Sequence, residues 1–226
     1  MKIKNLGLIS YADALVLMND LHAEVSTNEN HEGYILALEH PPTVTMGNRL
    51  LYEDLLVKPE ELKFKGVSFF KTDRGGSATI HEPGQLVVYP IIRLPHYNLT
   101  VKSYISCLEE AMILTCAHFG ISAGRDSINP GIWIGDQKIG AVGVRVSNRV
   151  SKHGIAFNIN NTLATFAHII PCGLSTRGVT SLQNELVKKA KLLSQNSLIK
   201  LDFEQVKDVK TDNSKGVEVS RSEERR

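Results

Sequence analysis

The sequence has no long hydrophobic run and little excess of charge, and each shortage excludes a class of protein. The first 20 residues contain no apolar stretch long enough for a signal peptide or a membrane span, and Asp13 and Asp20 argue against an acid-poor transit peptide. The formal net charge of +2 is too small to predict a surface for nucleic acid. We therefore expect a cytoplasmic protein that binds neither nucleic acid nor a membrane.

Cysteine is also scarce, with three residues in the whole chain. Cys107 and Cys116 are nine residues apart in one predicted helix, roughly 13 Å along its axis, which is beyond the reach of a disulfide. The C-x-x-C spacing of many metal sites is absent, so we expect no metal site. Cys116 falls on the apolar face of the helix and is expected to be an inert core thiol, whereas Cys107 falls on the opposite face.

The third cysteine, Cys172, stands between a proline and a glycine in the stretch IIPCGLST. Pro171 fixes its own φ, and Gly173 permits backbone angles that are closed to other residues. The thiol therefore belongs to a stiff, sharply turned segment. That geometry suits a side chain that must point at a site, and it equally suits an inert thiol that fills a bend.

Helical and strand patterns follow each other without a regular order. Apolar residues at helical spacing predict helices over 11–26 and 101–119, and weaker helical patterns follow at 180–194 and near 198–206. Strand patterns occur in YILALEH, VSFFK, LVVYPIIRL, GIAFNIN and the hairpin GIWIGDQKIGAVGVRV, with a further short strand inside DRGGSATIHEPGQ.

This mixture predicts the fold class. A regular βαβ rhythm is missing, so we expect a single α+β domain with a mixed or antiparallel sheet flanked by helices. The domain is expected to span residues 1–205. In the last 21 residues, 206–226, 11 side chains are charged and the apolar ones are all valine, which predicts a disordered tail.

Two segments could carry chemistry, although each also has an ordinary structural explanation. Gly75 and Gly76 would let backbone N–H groups approach a ligand closely, but a simple β-turn would also use two glycines. His153, just before a strand, is usually a structural or capping residue.

Lys138 begins a strand and has two alternative environments. On strict alternation it shares a face with Val142, Val144 and Val146, where it would lose hydration. A bulge at Gly140 would instead return it to solvent, and an exposed lysine beside a turn is the commoner case.

Five blocks taken together resemble a known family. The blocks occur in the order LEHPPTVTMG, RGGSATIHEPGQLVVYP, GIWIGDQKIGAVGVRV, KHGIAFNIN and IIPCG, and they cover roughly residues 33–182. In this order they resemble the octanoyltransferases of lipoate biosynthesis, also called lipoyl(octanoyl) transferases. The resemblance implies the fold of the lipoate- and biotin-protein ligase superfamily.

The resemblance also implies a reaction and its residues. Cys172 would be the acyl-thioester nucleophile, and Lys138 would favour its thiolate form, either as an ion-pair partner or as a proton acceptor. The donor would be octanoyl-acyl carrier protein, and the acceptors would be apo lipoyl domains of 2-oxoacid dehydrogenases and the glycine cleavage H protein, with no cofactor. The implied substrate contacts are Arg74, Gly75, Gly76, Ser77, Ala78, Thr79, Ile80, His81, Ala141, Val142, Gly143, Gly154, Ile155 and Ala156.

The chain departs from the family pattern at two positions. Glu82 stands where the family usually has glycine, and Ile80 replaces an aromatic residue. If the backbone at 82 needs a positive φ, a side chain there would cost about 1–2 kcal/mol. Two other functions stay open: an ATP-dependent lipoate- or biotin-protein ligase, and a non-catalytic acyl-binding protein.

Overall fold

The computed structural model describes residues 1–49, 52–126, 130–170 and 177–195. Cys172, the helical pattern near 198–206 and the charged tail lie outside these ranges, so the predicted domain end at residue 205 stays a prediction. Residues 1–185 form one compact unit, and a second unit begins at Leu186. The described part of this second unit, residues 186–195, is helical.

The described residues form two sheets. In the larger sheet the strands run in the order β1, β2, β6, β10, β9, β8, β7, and β11 pairs with β9. These strands are β1 (Lys2–Leu8), β2 (Tyr34–Glu39), β6 (Gln85–Ile91), β7 (Gly124–Arg125), β8 (Gly131–Ile134), β9 (Gln137–Ser147), β10 (Val150–Asn158) and β11 (Gly178–Val179). The pairs β1–β2 and β9–β11 are parallel and the other pairs of this sheet are antiparallel, which confirms the mixed, mostly antiparallel sheet.

Two long helices cover this sheet. Helix α1 (Tyr11–Thr27) begins after Ser10, whose Oγ accepts a hydrogen bond from Asp13 N at 3.1 Å and caps the helix. Its buried face, including Met18, packs on the sheet with Tyr89 and Ala156. Helix α3 (Val101–His118) packs on the other face.

The contact of α3 with the sheet depends on a glycine. A Cβ added to Gly140 of β9 would lie 2.6 Å from Met112 Sδ, so the helix lies directly on the strand. Cys116 is fully buried in this helix, where burial raises the pKa of its thiol to about 11, and Cys107 is exposed. Both cysteine predictions are confirmed.

The smaller sheet has its own core. Strand β3 (Thr43–Met46) lies between β4 (Ser68–Lys71) and β5 (Ala78–His81). Its apolar side chains pack with the short helix α2 (Pro59–Phe64) and with Ile169. No helix in the described ranges is both long enough and apolar enough to cross a membrane.

Glu82 holds together the turn that follows β10. The side chain is 3% exposed, and its carboxylate accepts hydrogen bonds from Leu163 N at 2.7 Å, Asn161 Nδ2 at 2.9 Å and Thr165 N at 3.2 Å. Its backbone φ is not positive, so the strain considered for a non-glycine residue does not arise. The carboxylate is a structural acceptor for three buried donors.

We expect Glu82→Ala to lower the free energy of unfolding by about 2–4 kcal/mol, because it leaves three buried donors without an acceptor. Glu82→Gln keeps the shape and one acceptor oxygen, so it should cost less. Urea denaturation would measure both, with the exposed Glu60→Ala on α2 as control. A loss for Glu82→Ala as small as the control's would show that this carboxylate is dispensable.

Candidate active site

A β-bulge sets the direction of Lys138. The register of β8 and β9 shifts so that Ile132 pairs with Gly140 and Trp133 with Lys138, which leaves Ile139 as the extra residue. Lys138 therefore lies beside Gly131, whereas Gly140 faces Ile132 and α3.

A bulge is present at Ile139, one residue before the predicted Gly140, but its predicted consequence is wrong. Lys138 is 5% exposed, so it does not return to solvent. The interpretation as an exposed turn lysine is also wrong. The shared face with the valines is not found either, because the bulge moves Lys138 to the face opposite that of Gly140 and the side chains that alternate with it.

Lys138 has close-packed surroundings. Its Nζ lies 5.2 Å from the centroid of the Trp133 ring, and Arg177 Cζ lies 4.0 Å from the same centroid. Arg177 is held by Asp126 at 2.5 Å. At Gly131, where φ is +129°, a Cβ would lie 2.3 Å from the Gly140 carbonyl oxygen, so the two strands approach too closely there for any residue but glycine.

Helix α3 supports this corner of the site. Glu109 is buried in the helix, and its Oε1 accepts a hydrogen bond from Gly131 N at 2.9 Å. Its Oε2 accepts from Arg125 Nε at 3.2 Å. The strand end beside Lys138 is therefore tied to the helix through a buried carboxylate.

Cys172 belongs to the segment 171–176, outside the described residues, but both ends of that segment are described. On one side Ile170 N donates to Asp54 O at 2.7 Å. On the other side Val179 pairs with Lys138 in β11, and Thr180 N donates to Lys138 O at 3.0 Å. The chain that contains Cys172 therefore returns directly beside Lys138.

The Arg74 guanidinium fastens the glycine loop. It donates hydrogen bonds to Thr45 O at 2.6 Å, Ser77 O at 2.7 Å and Gly75 O at 2.9 Å. Gly75 N in turn donates to Val144 O at 2.9 Å, which fastens the loop to β9. Arg74 is therefore a positioning residue for the loop.

Two cavities adjoin these segments and share Val142 and Gly143. One, of about 30 Å³, lies between the two sheets, and the other, of about 260 Å³, lies between the glycine loop and the start of α3. All the predicted substrate contacts line one of them except Ala78 and Ile80. Those two side chains point into the core of the smaller sheet, because alternate residues of β5 face opposite ways. Only their backbone remains available to a ligand.

Histidines from distant parts of the chain meet at the first cavity. His153 has a φ of 57°, and its Nε2 lies 2.8 Å from Asp73 Oδ1. This hydrogen bond, together with Lys152 Nζ at 2.9 Å, holds the pKa of Asp73 far below its usual range. His81 is fastened by Gln85 at 2.9 Å, and burial lowers the pKa of both His81 and His153. Burial therefore favours the neutral form of both rings.

Sequence reasoning missed three residues of this cluster. Tyr11 and Tyr89 line the cavity together with the predicted residues, and Asp73 orients His153. Asp73 directly precedes Arg74, so its position in the DRGG stretch was an available signal. Tyr11 and Tyr89 belong to a helix and a strand whose apolar patterns give no sign that these two side chains line a cavity.

The family described as the lipoyl protein ligase A/B catalytic domain matches residues 10–207. The octanoyltransferase of Desulforamulus reducens is 42% identical over 182 residues, covering 80% of this chain and 79% of that protein. The mitochondrial octanoyltransferase of Arabidopsis thaliana is 37% identical over 186 residues, covering 82% and 79%.

Solved structures show the same fold at low sequence identity. Lipoate-protein ligase A bound with ATP has a TM-score of 0.63 at 18% identity, covering 84% of this chain and 82% of that one. A bipartite lipoate protein ligase of Thermoplasma acidophilum, studied with its E2 lipoyl domain, has a TM-score of 0.58 at 14% identity, covering 83% and 80%. The chain belongs to the lipoyl protein ligase A/B catalytic domain family and, within it, to the octanoyltransferases.

Proposed function

We propose that this acyltransferase moves an octanoyl group from octanoyl-acyl carrier protein to a lysine of an apo lipoyl domain, through a thioester on Cys172. The acceptors are the lipoyl domains of 2-oxoacid dehydrogenases and the glycine cleavage H protein, and the reaction takes place in the cytoplasm. The observation that carries the proposal is the buried Lys138, whose strand pairs with the chain returning from the Cys172 segment. The curated relatives named octanoyltransferase support the same reaction.

The first half-reaction forms the thioester. A free thiol is mostly protonated at neutral pH, and the thiolate is the nucleophile. The Cys172 proton passes to Lys138, and the thiolate attacks the carbonyl carbon of the donor thioester. The bond between that carbon and the carrier sulfur breaks, and the carrier thiolate takes the proton from the Lys138 ammonium.

The second half-reaction forms the amide. The neutral amine of the acceptor lysine attacks the carbonyl carbon held on Cys172, and the carbon–sulfur bond breaks. The surplus proton on nitrogen passes to Lys138 and then to the departing Cys172 thiolate, which restores the enzyme. The donor thioester is already activated, so this sequence of steps consumes no nucleotide.

The acyl chain lies along the face of β9 that carries Lys138. The proposed path runs from Lys138 past Ala141 and Ala156 to the 30 Å³ cavity. We call this region the acyl slot. Ala141 and Ala156 are paired across β9 and β10, and both line that cavity. Each buried methylene of the chain contributes about 0.8 kcal/mol, which gives a coarse selection for chain length.

Cys172→Ser should lower the transfer rate by at least about 100-fold, because an unactivated hydroxyl is a poor nucleophile. Intact-protein mass spectrometry after mixing with octanoyl carrier protein should show one octanoyl adduct, mapped to the Cys172 peptide. The exposed Cys107→Ser is the matched control and should keep both adduct and rate. Normal turnover in Cys172→Ser would end the thioester mechanism, and labelling that requires free octanoate and ATP would indicate a ligase instead.

Lys138→Arg should lower the transfer rate by about 100-fold, since arginine keeps its positive charge but cannot pass on a proton. Lys102→Arg, on the exposed start of α3, is the control. Single-turnover acylation of Cys172 and its later transfer, followed separately, should both be slow. Near-normal rates in both steps would reduce Lys138 to a structural role.

A further inference from the structure

Two buried polar atoms at the inner end of the acyl slot have no hydrogen-bond partner among the described residues. They are Tyr11 Oη and His153 Nδ1, and their residues are 3% and 1% exposed. Burial raises the pKa of Tyr11, and the nearby Thr72 hydroxyl offsets part of this rise. No hydrogen bond of normal geometry joins Thr72 to Tyr11 Oη. Buried polar atoms of this kind are normally hydrogen-bonded, so each marks a place for a polar group.

Both residues line the same cavity of about 30 Å³. A space of this size can hold one water molecule when polar partners surround it. The hydrogen-bonding roles are complementary. Nε2 of the neutral His153 ring donates to Asp73, so Nδ1 carries the lone pair and accepts, while the Tyr11 hydroxyl can donate. One hydroxyl group could therefore donate to His153 Nδ1 and accept from the Tyr11 hydroxyl.

The cavity is the right distance from the reacting end of the slot. Its wall on β9 begins at Ala141, and because of the bulge the partners of Lys138 and Ala141 on β8 are only two residues apart, which corresponds to roughly 7 Å along a strand. An extended eight-carbon chain is slightly longer than this. An octanoyl chain whose carbonyl carbon lies near Lys138 therefore brings its methyl group to the edge of this cavity.

We propose that Tyr11 and His153 form a binding site for a single hydroxyl group, occupied by water when octanoate fills the slot, and that this site is the polar end wall that sets chain length. The inference rests on the proposed function, because it places the acyl chain in the slot. A chain with one more methylene would push a methyl group between two polar atoms and displace the water without replacing its hydrogen bonds. A chain of the same length that ends in a hydroxyl would replace them.

Two donors of equal length separate this site from a merely narrow one. The 8-hydroxyoctanoyl and nonanoyl groups have the same number of non-hydrogen atoms and differ in their last atom, oxygen or carbon. With the wild-type enzyme and each group loaded on acyl carrier protein, we expect kcat/KM for 8-hydroxyoctanoyl to exceed that for nonanoyl by at least about tenfold, because a site built for a hydroxyl rejects its apolar counterpart. An apolar or purely steric end would favour nonanoyl or treat the two alike, and that result would overturn the proposal.

Tyr11→Phe removes one of the two polar partners and keeps the ring. The preference for 8-hydroxyoctanoyl over nonanoyl should fall by at least about fivefold in this variant. Tyr97→Phe is the matched control, since the Tyr97 hydroxyl donates to Glu32 O away from the cavity, and its preference should stay that of the wild type. A preference unchanged in Tyr11→Phe would rule out the tyrosine as a hydroxyl ligand, and the wild-type comparison tests the site even where this variant fails to fold.

Transfer of an unsubstituted octanoyl group by the wild-type enzyme distinguishes failure of the end wall from failure of the proposed function. If the wild type transfers octanoyl normally but prefers nonanoyl to 8-hydroxyoctanoyl, the end wall is wrong and the proposed function stands. If the wild type transfers no octanoyl group to a lipoyl domain, the proposed function fails, and the end wall falls with it.

Discussion

The candidate site depends on one irregularity, the bulge at Ile139. It turns Lys138 to the face of β9 that looks toward the smaller sheet, and it leaves Gly140 against α3. Regular alternation would instead place the lysine on the face of β9 that packs against α3. Gly131 completes the arrangement, because a Cβ there would collide with the Gly140 carbonyl oxygen of β9.

The elements with strong local signals could be predicted from the sequence. Helix α1 has Ser10 as its cap, α3 has apolar residues at regular helical spacing, and the β8–β9 hairpin has its glycine turn. Strands β1 and β3 escaped prediction. The first is an edge strand with mostly exposed residues, and the second is four residues long, buried on both faces and preceded by two prolines, so neither alternates between polar and apolar side chains.

The site itself was only partly predictable. Segments that form continuous blocks, such as Arg74–His81, can be read along the chain, although the alternation of β5 assigns half of that strand to a core. The partners Tyr11, Asp73 and Tyr89 reach the cavity from separate elements, and their positions depend on how two sheets and a helix pack. Glu82 shows the converse case, since a departure from the family pattern, which suggested backbone strain, instead supplies the acceptor for the turn after β10.

The buried Glu109 has a consequence for how rigid the site is. The Glu109 carboxylate joins α3 to the amide of Gly131, which lies beside Lys138. That amide can therefore be released only when the helix separates from the sheet. Hydrogen exchange at that amide should then follow the opening of the helix–sheet interface and not the fraying of a surface loop. The position of Lys138 is thus held by the packing of the helix on the sheet.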